Sequence, residues 1–169
     1  MSTNPVLNAI HTRRSIRAYT DDDLRDDVVR DILDAGRWAP SGLNNQPWRF
    51  AVIRDSTTRE RLAGLTHYGA IIRRSNVCVA VFYNTESGYN RDKDMMGIGA
   101  CIQNMLLAAH SLGIGAVWLG QILEKKDDVN RLLEIDAGNE LAAVIALGRP
   151  NESPRAERIS LEDLILKSI

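Results

Sequence analysis

Between Asp94 and Leu112 the sequence sets apolar side chains around nearly the whole circumference of a helix, and no other segment restricts the available folds as much. At 1.5 Å per residue such a helix is roughly 28 Å long. A single apolar stripe would suit a surface helix, whereas apolar residues on most sides call for burial, in a core or against another subunit. Gln103, Asn104, His110 and Ser111 interrupt the run and argue against a membrane span. The remaining elements, or a second subunit, are therefore expected to pack around this helix.

Asn4 followed by Pro5 is a helix start, with Val6, Leu7 and Ile10 forming an apolar face up to about Arg13. A second helix is expected from about Arg25 to Trp38, where Val28, Val29, Ile32, Leu33 and Ala35 recur near helical spacing. Its acidic lead of Asp21, Asp22, Asp23, Asp26 and Asp27 favours the positive end of the helix dipole. No distant carboxylate or histidine group completes a coordination shell, so that lead is read as a solvated helix start and not as a metal site. Phe50 to Ile53 reads as a short buried strand, and Thr57 with Glu60 has capping-box spacing for a helix to about Leu65. Val77 to Tyr83 is the clearest strand. Gly113 is placed to end the long helix in a left-handed conformation. Ala116 to Leu119 then reads as a strand, Lys125 to Leu133 as a helix, and Leu141 to Leu147 as a strand buried on both faces. Four strands interspersed with helices make an α+β or α/β domain.

With 169 residues, 44% of them hydrophobic and 25% charged, the chain fits one domain, 1–169. The net charge of −1 supplies no field of the kind that gathers nucleic acid or anionic membrane. Cys78 and Cys101 sit in apolar runs without metal or redox spacing, as buried thiols in a reducing compartment do. The first residues lack a basic region followed by an apolar stretch, and a soluble cytoplasmic protein is expected.

Two segments stand out chemically. Arg13-Arg14-Ser15-Ile16-Arg17 puts three guanidiniums and a hydroxyl into five residues. If that stretch is extended, Arg13, Ser15 and Arg17 project to one side, a trio suited to a terminal phosphate. The alternative is a basic patch at a helix end, paired with Asp21, Asp22 and Asp23. In Ala39-Pro40-Ser41-Gly42-Leu43-Asn44-Asn45-Gln46-Pro47-Trp48, two prolines stiffen a run of amides and hydroxyls, which suits a flat heteroaromatic with several hydrogen-bonding edges. The alternative is an irregular surface turn. Gly97-x-Gly99 is not a dinucleotide fingerprint, because Ile102 replaces the last glycine and the run lies inside a helix; close packing between helices is the better reading.

Taken in order, Arg-Arg-Ser-Ile-Arg, the Pro-Ser-Gly-x-Asn-x-Gln-Pro-Trp loop, the apolar helix ending in Gly113-Ile114-Gly115, Val117-Trp118-Leu119-Gly120 and Ala146-Leu147-Gly148-Arg149-Pro150 resemble the nitroreductase family of FMN-dependent oxidoreductases. The resemblance covers roughly residues 6 to 165. It implies an α+β domain with a mixed sheet flanked by helices, dimeric through its long helices. It assigns Arg13, Arg14, Ser15 and Arg17 to the FMN phosphate, ribityl chain or flavin edge. Pro40, Ser41, Gly42, Asn44 and Gln46 fall to the isoalloxazine from the partner subunit, and Leu119-Gly120 to the backbone facing the ring. Relatives often carry a glutamate where Leu119 stands. Arg158 aligns with an arginine that reaches the phosphate, although a free surface arginine remains open; a frequent lysine is replaced by Ala156, and Arg155 is a substitute for it. His67 lies in a segment that approaches the flavin in relatives. No catalytic side chain is required, since flavin N5 carries the hydride.

The function this implies is an FMN-dependent NAD(P)H oxidoreductase that passes hydride from NADH or NADPH to a nitroaromatic, quinone or similar small acceptor by alternating half-reactions. Reductive dehalogenation or flavin fragmentation on the same fold is one alternative, and a flavin-binding sensor or storage protein is another. No metal, nucleic acid or membrane partner is expected.

Overall fold

The computed structural model describes residues 3–168. In chain order its elements are α1 (Pro5–Thr12), α2 (Asp26–Arg37), β1 (Trp48–Ile53), α3 (Ser56–Ala63), α4 (Gly69–Arg74), β2 (Val77–Asn84), α5 (Arg91–Ser111), β3 (Gly115–Leu119), α6 (Lys126–Leu133) and β4 (Asn139–Gly148), with short 3-10 turns at Gly42–Asn44, Gln121–Lys125 and Glu162–Leu164. The four strands form one sheet in the order β1-β2-β4-β3. All three strand pairs are antiparallel, and Val77 to Tyr83, the clearest strand of the sequence, lies at the centre of the sheet. Parallel pairing enters only at the outer edge of β3, where Ser15 bridges Ala116.

Every residue of β2 is buried, because helices cover both faces of the sheet. Side-chain alternation divides it between two cores. Val77, Val79, Val81 and Tyr83 pack with Val29 and Ile32 of α2 and with Ile98, Cys101, Ile102, Met105 and Ala109 of α5. Cys78, Ala80 and Phe82 face the opposite way, onto Leu62, Ile71, Ile72, Ile122 and Val129. Both thiols are buried, and burial pushes Cys78 up to about 11 and Cys101 up to about 12.

The long helix sits in the first core. It begins at Arg91, three residues earlier than its apolar pattern suggests, because the Asn90 side chain accepts the Lys93 amide at 3.1 Å and caps it. Gly113, at φ +72°, ends it in the left-handed conformation expected. Its fully buried positions, Asp94, Gly97, Ile98, Cys101, Ile102, Met105, Leu106 and Ala109, fall on one stripe. The other apolar side stays open, and Met96 is 75% exposed. No residue of α1 is buried, although its apolar face carries Val6, Leu7 and Ile10.

Four local readings need correction. The cap of α3 is Asp55, whose carboxylate accepts the Thr58 amide and hydroxyl, so Thr57 and Glu60 do not form a capping box. Helix α4 is an addition, being a single turn and a half with too few residues to show periodicity. The close helix packing lies at Gly36, where a Cβ would stand 2.7 Å from Met105 Cγ; Gly97 instead faces Pro40 and Ser41, and Gly99 only approaches Trp118. The acidic lead of α2 serves partly as an anchor, since Arg54 pairs with Asp26 at 2.8 Å and Asp23 at 3.5 Å.

Candidate functional site

The arginine segment leaves α1 with Arg13 as its C-cap, in extended backbone. The bridge from Ser15 to Ala116 then holds the chain against β3, while Ile16 turns inward over Gly115, where a Cβ would meet Ile16 Cγ2 at 2.8 Å. Arg13, Arg14, Ser15 and Arg17 are thereby left lining one cavity of 160 Å³.

A strap from the C-terminal part of the chain closes this cavity. The Thr20 amide donates to Arg149 O and the Asn151 amide to Ala18 O, both at 2.9 Å, and Tyr19 bridges Pro150. The Glu152 carboxylate accepts the main-chain amides of Arg17 and Ala18. The residues that follow are folded back over the clamp, so that Arg155 and Arg158 line the same cavity, with Ala156 between them. Five arginines therefore surround it and no carboxylate does. Among the described residues none of the five forms an ion pair, which removes the basic patch paired with Asp21, Asp22 and Asp23 as an explanation. Burial, then the charges of Arg158 and Arg14, push the Arg13 guanidinium below its ordinary value. Arg14 is partly committed, its NH1 donating to His11 O at 2.7 Å and Arg13 O at 2.8 Å across the end of α1.

A larger cavity of 540 Å³ adjoins this one and shares Arg13, Arg14, Pro154 and Arg155 with it. Its volume falls within the roughly 300–1,000 Å³ of small-molecule clefts. Leu106 and Ile114 supply apolar wall, and His110 lies on its rim with Nε2 2.8 Å from Thr12 Oγ1. Burial, with Arg13 and Arg14 nearby, lowers the His110 pKa.

The second segment is a strained loop. Leu43, Asn44 and Gln46 all have positive φ, between 46° and 56°, without a glycine among them. Such a conformation costs about 1–2 kcal/mol per residue and persists only where its surroundings impose it. Ser41 Oγ accepts the Gln46 amide at 3.0 Å, and Gly42 lies beneath Tyr89, whose hydroxyl would be 2.0 Å from a Cβ at that position. Asn45 Nδ2 donates to Ser87 O at 3.0 Å and to Asp94 Oδ1 at 2.7 Å. Leu43 is 86% exposed, and Pro40, Asn44 and Gln46 are exposed beside it. Asp94 itself is buried and was not among the residues singled out from sequence, where it passes for one more acidic residue in a first helical turn.

The two segments do not meet within one chain. Gly97, near the start of α5, faces Pro40 O, which a Cβ on it would meet at 3.4 Å, whereas the side chain of His110, near the helix end, contacts Thr12. The separation of thirteen positions between them places the cradle loop roughly 20 Å along the helix from the clamp, at 1.5 Å per residue.

Strand β3 leads from the clamp to the last predicted position. Because the Ser15 bridge to Ala116 is parallel, Arg17 lies on the side of Ser15 that heads along β3 toward Gly120. The Leu119 side chain is buried in the second core, so only its main chain is available there. Gly120 is exposed, and a Cβ on it would meet nothing within 4 Å. The next residue, Gln121, accepts the Thr66 hydroxyl at 2.6 Å and the His67 amide at 3.0 Å, which ties the His67 segment to this end of the strand. Gln121 carries no motif and was not anticipated.

Fold and site together define a class: α+β domains with one antiparallel-rich sheet between helices and a guanidinium pocket at one end of a central helix. A sequence model described as the nitroreductase family matches residues 10–72 and 65–149, and the chain belongs to that family. A crystal structure of a candidate nitroreductase in complex with FMN from Desulfovibrio desulfuricans is 48% identical over 99% of both chains, with a TM-score of 0.96. A candidate NADH dehydrogenase/NAD(P)H nitroreductase of Methanothermobacter thermautotrophicus is 35% identical, covering 91% of this chain and 82% of that protein. A protein of the same description from Archaeoglobus fulgidus is 35% identical over 86% of each.

Proposed function

We propose that the protein is an FMN-dependent NAD(P)H oxidoreductase that reduces small acceptors such as nitroaromatics or quinones. The observation that carries this reading is the cavity of five arginines without a carboxylate. Clustered guanidiniums repel one another until an anion of matching geometry enters, and a phosphate monoester offers the oxygens that they bind bidentately. Arg13, Ser15 and Arg158 are the groups for the phosphate, with Arg155 beside them in place of the lysine that Ala156 lacks. Arg17 carries positive charge onward toward Gly120. The four steps from Ala116 to Gly120 extend roughly 13 Å at 3.3 Å per residue, which separates a phosphate end from a ring end. Bound there, FMN would supply the two-electron carrier between nicotinamide and acceptor. The relatives' descriptions, FMN in one and NADH or NAD(P)H in others, support the same reading.

A second copy of the chain supplies the missing half of this site. Pro40, Ser41, Gly42, Asn44 and Gln46 are held too far along α5 to reach the clamp of their own chain, so a two-fold arrangement with α5 near its axis brings each loop to the other's clamp. The open apolar face of α5, the uncovered face of α1, Trp38 at 74% exposure, and Ile159, Leu161, Leu164, Ile165 and Leu166 on the exposed C-terminal segment provide the area such an interface buries. Among the described residues no helix is long and apolar enough to cross a membrane. The buried free thiols Cys78 and Cys101 support a reducing compartment, and a cytoplasmic location is our reading.

The test combines a titration with turnover. FMN is expected to bind at about one per subunit and far more tightly than riboflavin, and equal affinity for the two would overturn the phosphate assignment. Bleaching of bound flavin by NADH or NADPH, followed by reoxidation with quinone and nitroaromatic panels, separates an enzyme from a flavin carrier. Met96→Asp should lower dimer fraction and flavin occupancy together in sedimentation. Met105 is unsuitable for that purpose, since it lies in the subunit's own core.

A further inference from the structure

We infer that Asp94 is the positioning residue that holds the Gly42–Gln46 loop in its strained, ligand-ready form; the ligand part of this inference rests on the FMN reading above. The carboxylate is 1% exposed and forms no ion pair with a cation among the described residues. A charge that deep is tolerated only where hydrogen bonds replace water. Its two oxygens divide the work. Oδ2 accepts the amides of Tyr89 and Asn90 at 2.9 and 3.0 Å and the Tyr83 hydroxyl at 3.2 Å, which fixes the end of β2 and the turn into α5. Oδ1 faces the other way and accepts Asn45 Nδ2 at 2.7 Å.

Asn45 is the one residue of Leu43–Gln46 that does not have positive φ, and its side chain ties the loop to the start of α5, while Gln46 O accepts Arg49 NH1 at 3.1 Å from β1. Its amide orientation is set, because both atoms facing Nδ2, Asp94 Oδ1 and Ser87 O, are acceptors. The exposed Asn44 and Gln46 flank it, so the residues presented outward owe their direction to a buried bond between them. Tyr89, whose amide the same carboxylate holds, presses its ring over Gly42. One carboxylate therefore joins the loop, its covering tyrosine and the start of α5 into a rigid unit, which lowers the ordering cost of binding a planar ligand. Asp94 does not lie in the arginine cavity, so its effect should fall on the ring end of a ligand and spare the phosphate end.

The experiment uses full-length protein and two ligands that differ only in the phosphate. In titrations with FMN and riboflavin, Asp94→Asn should weaken both by the same factor, about 10-fold or more, and leave their affinity ratio at the wild-type value. Arg13→Ala should instead lower the ratio. A ligand-free readout runs alongside: amides of Gly42 to Gln46 should exchange faster in Asp94→Asn while those in the middle of α5 keep their protection. Wild-type affinity for both flavins together with unchanged exchange in the loop would overturn the inference. A wild-type protein that binds neither flavin would refute the FMN reading, and the exchange comparison would still decide whether Asp94 holds the loop.

Discussion

The two ends of α5 solve opposite electrostatic problems. At its C-terminal end five arginines share a cavity lined by no carboxylate, and Glu152 of the strap is engaged by backbone amides. At its N-terminal end a buried carboxylate has no cation and is satisfied by four hydrogen bonds. The first end gathers like charges that repel one another. The second satisfies its carboxylate, leaves Asn45 Oδ1 buried without a partner, and stores backbone strain in three left-handed residues. The cationic end should therefore respond strongly to ligands and salt, and the acidic end to pH and to changes in hydrogen bonding.

The largest expected effect comes from emptying the cationic end. Removing both Arg13 and Arg158 by alanine should weaken FMN binding by about 3–6 kcal/mol, twice the usual value of a hydrogen bond to a charged group, with little change for riboflavin. Isothermal titration of both ligands checks this, and an equal loss for riboflavin would erase the contrast between the two ends. Arg17→Ala alone should cost about 1.5–3 kcal/mol, and lysine should rescue it only partly, having the charge without the fork.

Crowding the other end should cost less. Gly42→Ala drives a methyl into the Tyr89 hydroxyl, and an overpacking penalty of about 1–3 kcal/mol is expected in flavin affinity. Tyr89→Leu in the same chain should relieve it.

Acid should separate the two ends further. Burial would raise the Asp94 carboxyl, but hydrogen bonds from Asn45, the Asn90 and Tyr89 amides and Tyr83 outweigh it and hold the group below the usual carboxylate range. A depressed folded-state pKa means that the stabilisation is fully present above the unfolded value of about 3.9 and is lost as pH falls through the folded value. Urea melts from pH 5 downward should show wild type losing stability more steeply than Asp94→Asn over that window.

The smallest effect belongs to His110. Its lowered pKa reflects burial first and then Arg13 and Arg14, so the ring resists protonation while the cavity lacks an anion. The corresponding loss of stability sets in as pH falls through the unfolded value of about 6.5. Phosphate or FMN should raise the His110 pKa in an NMR titration, and a ring that titrates identically with and without phosphate would separate it from the clamp.

Much of this architecture was legible in the residues. The β2 run, the helix over 94–112, the left-handed stop at Gly113 and the Asn4 cap all follow from local pattern, because strand alternation and helical spacing act over a few residues. The arginine segment was legible as a cation cluster, since its members are adjacent in the chain. Arg158 and Arg155 joined it only through the pairing of residues 17–20 with 149–152, which is long-range and leaves no spacing to read. Helix α4 escaped because six residues cannot display a period, and Gln121 because its role is a contact across fifty-four positions with His67.

The sequence by itself determined which chemistry the chain carries: a basic segment, a proline-stiffened polar loop and a helix too apolar to stand alone. Covalent order and local sterics suffice for that. Only the tertiary structure decided that the acid at position 94 is buried and holds the loop, while other acids of similar local context remain in water. It also decided that the arginine segment and the polar loop lie at opposite ends of one helix, the separation on which the proposed two-chain site rests. Burial and separation are properties of packing, and packing is set by every element at once.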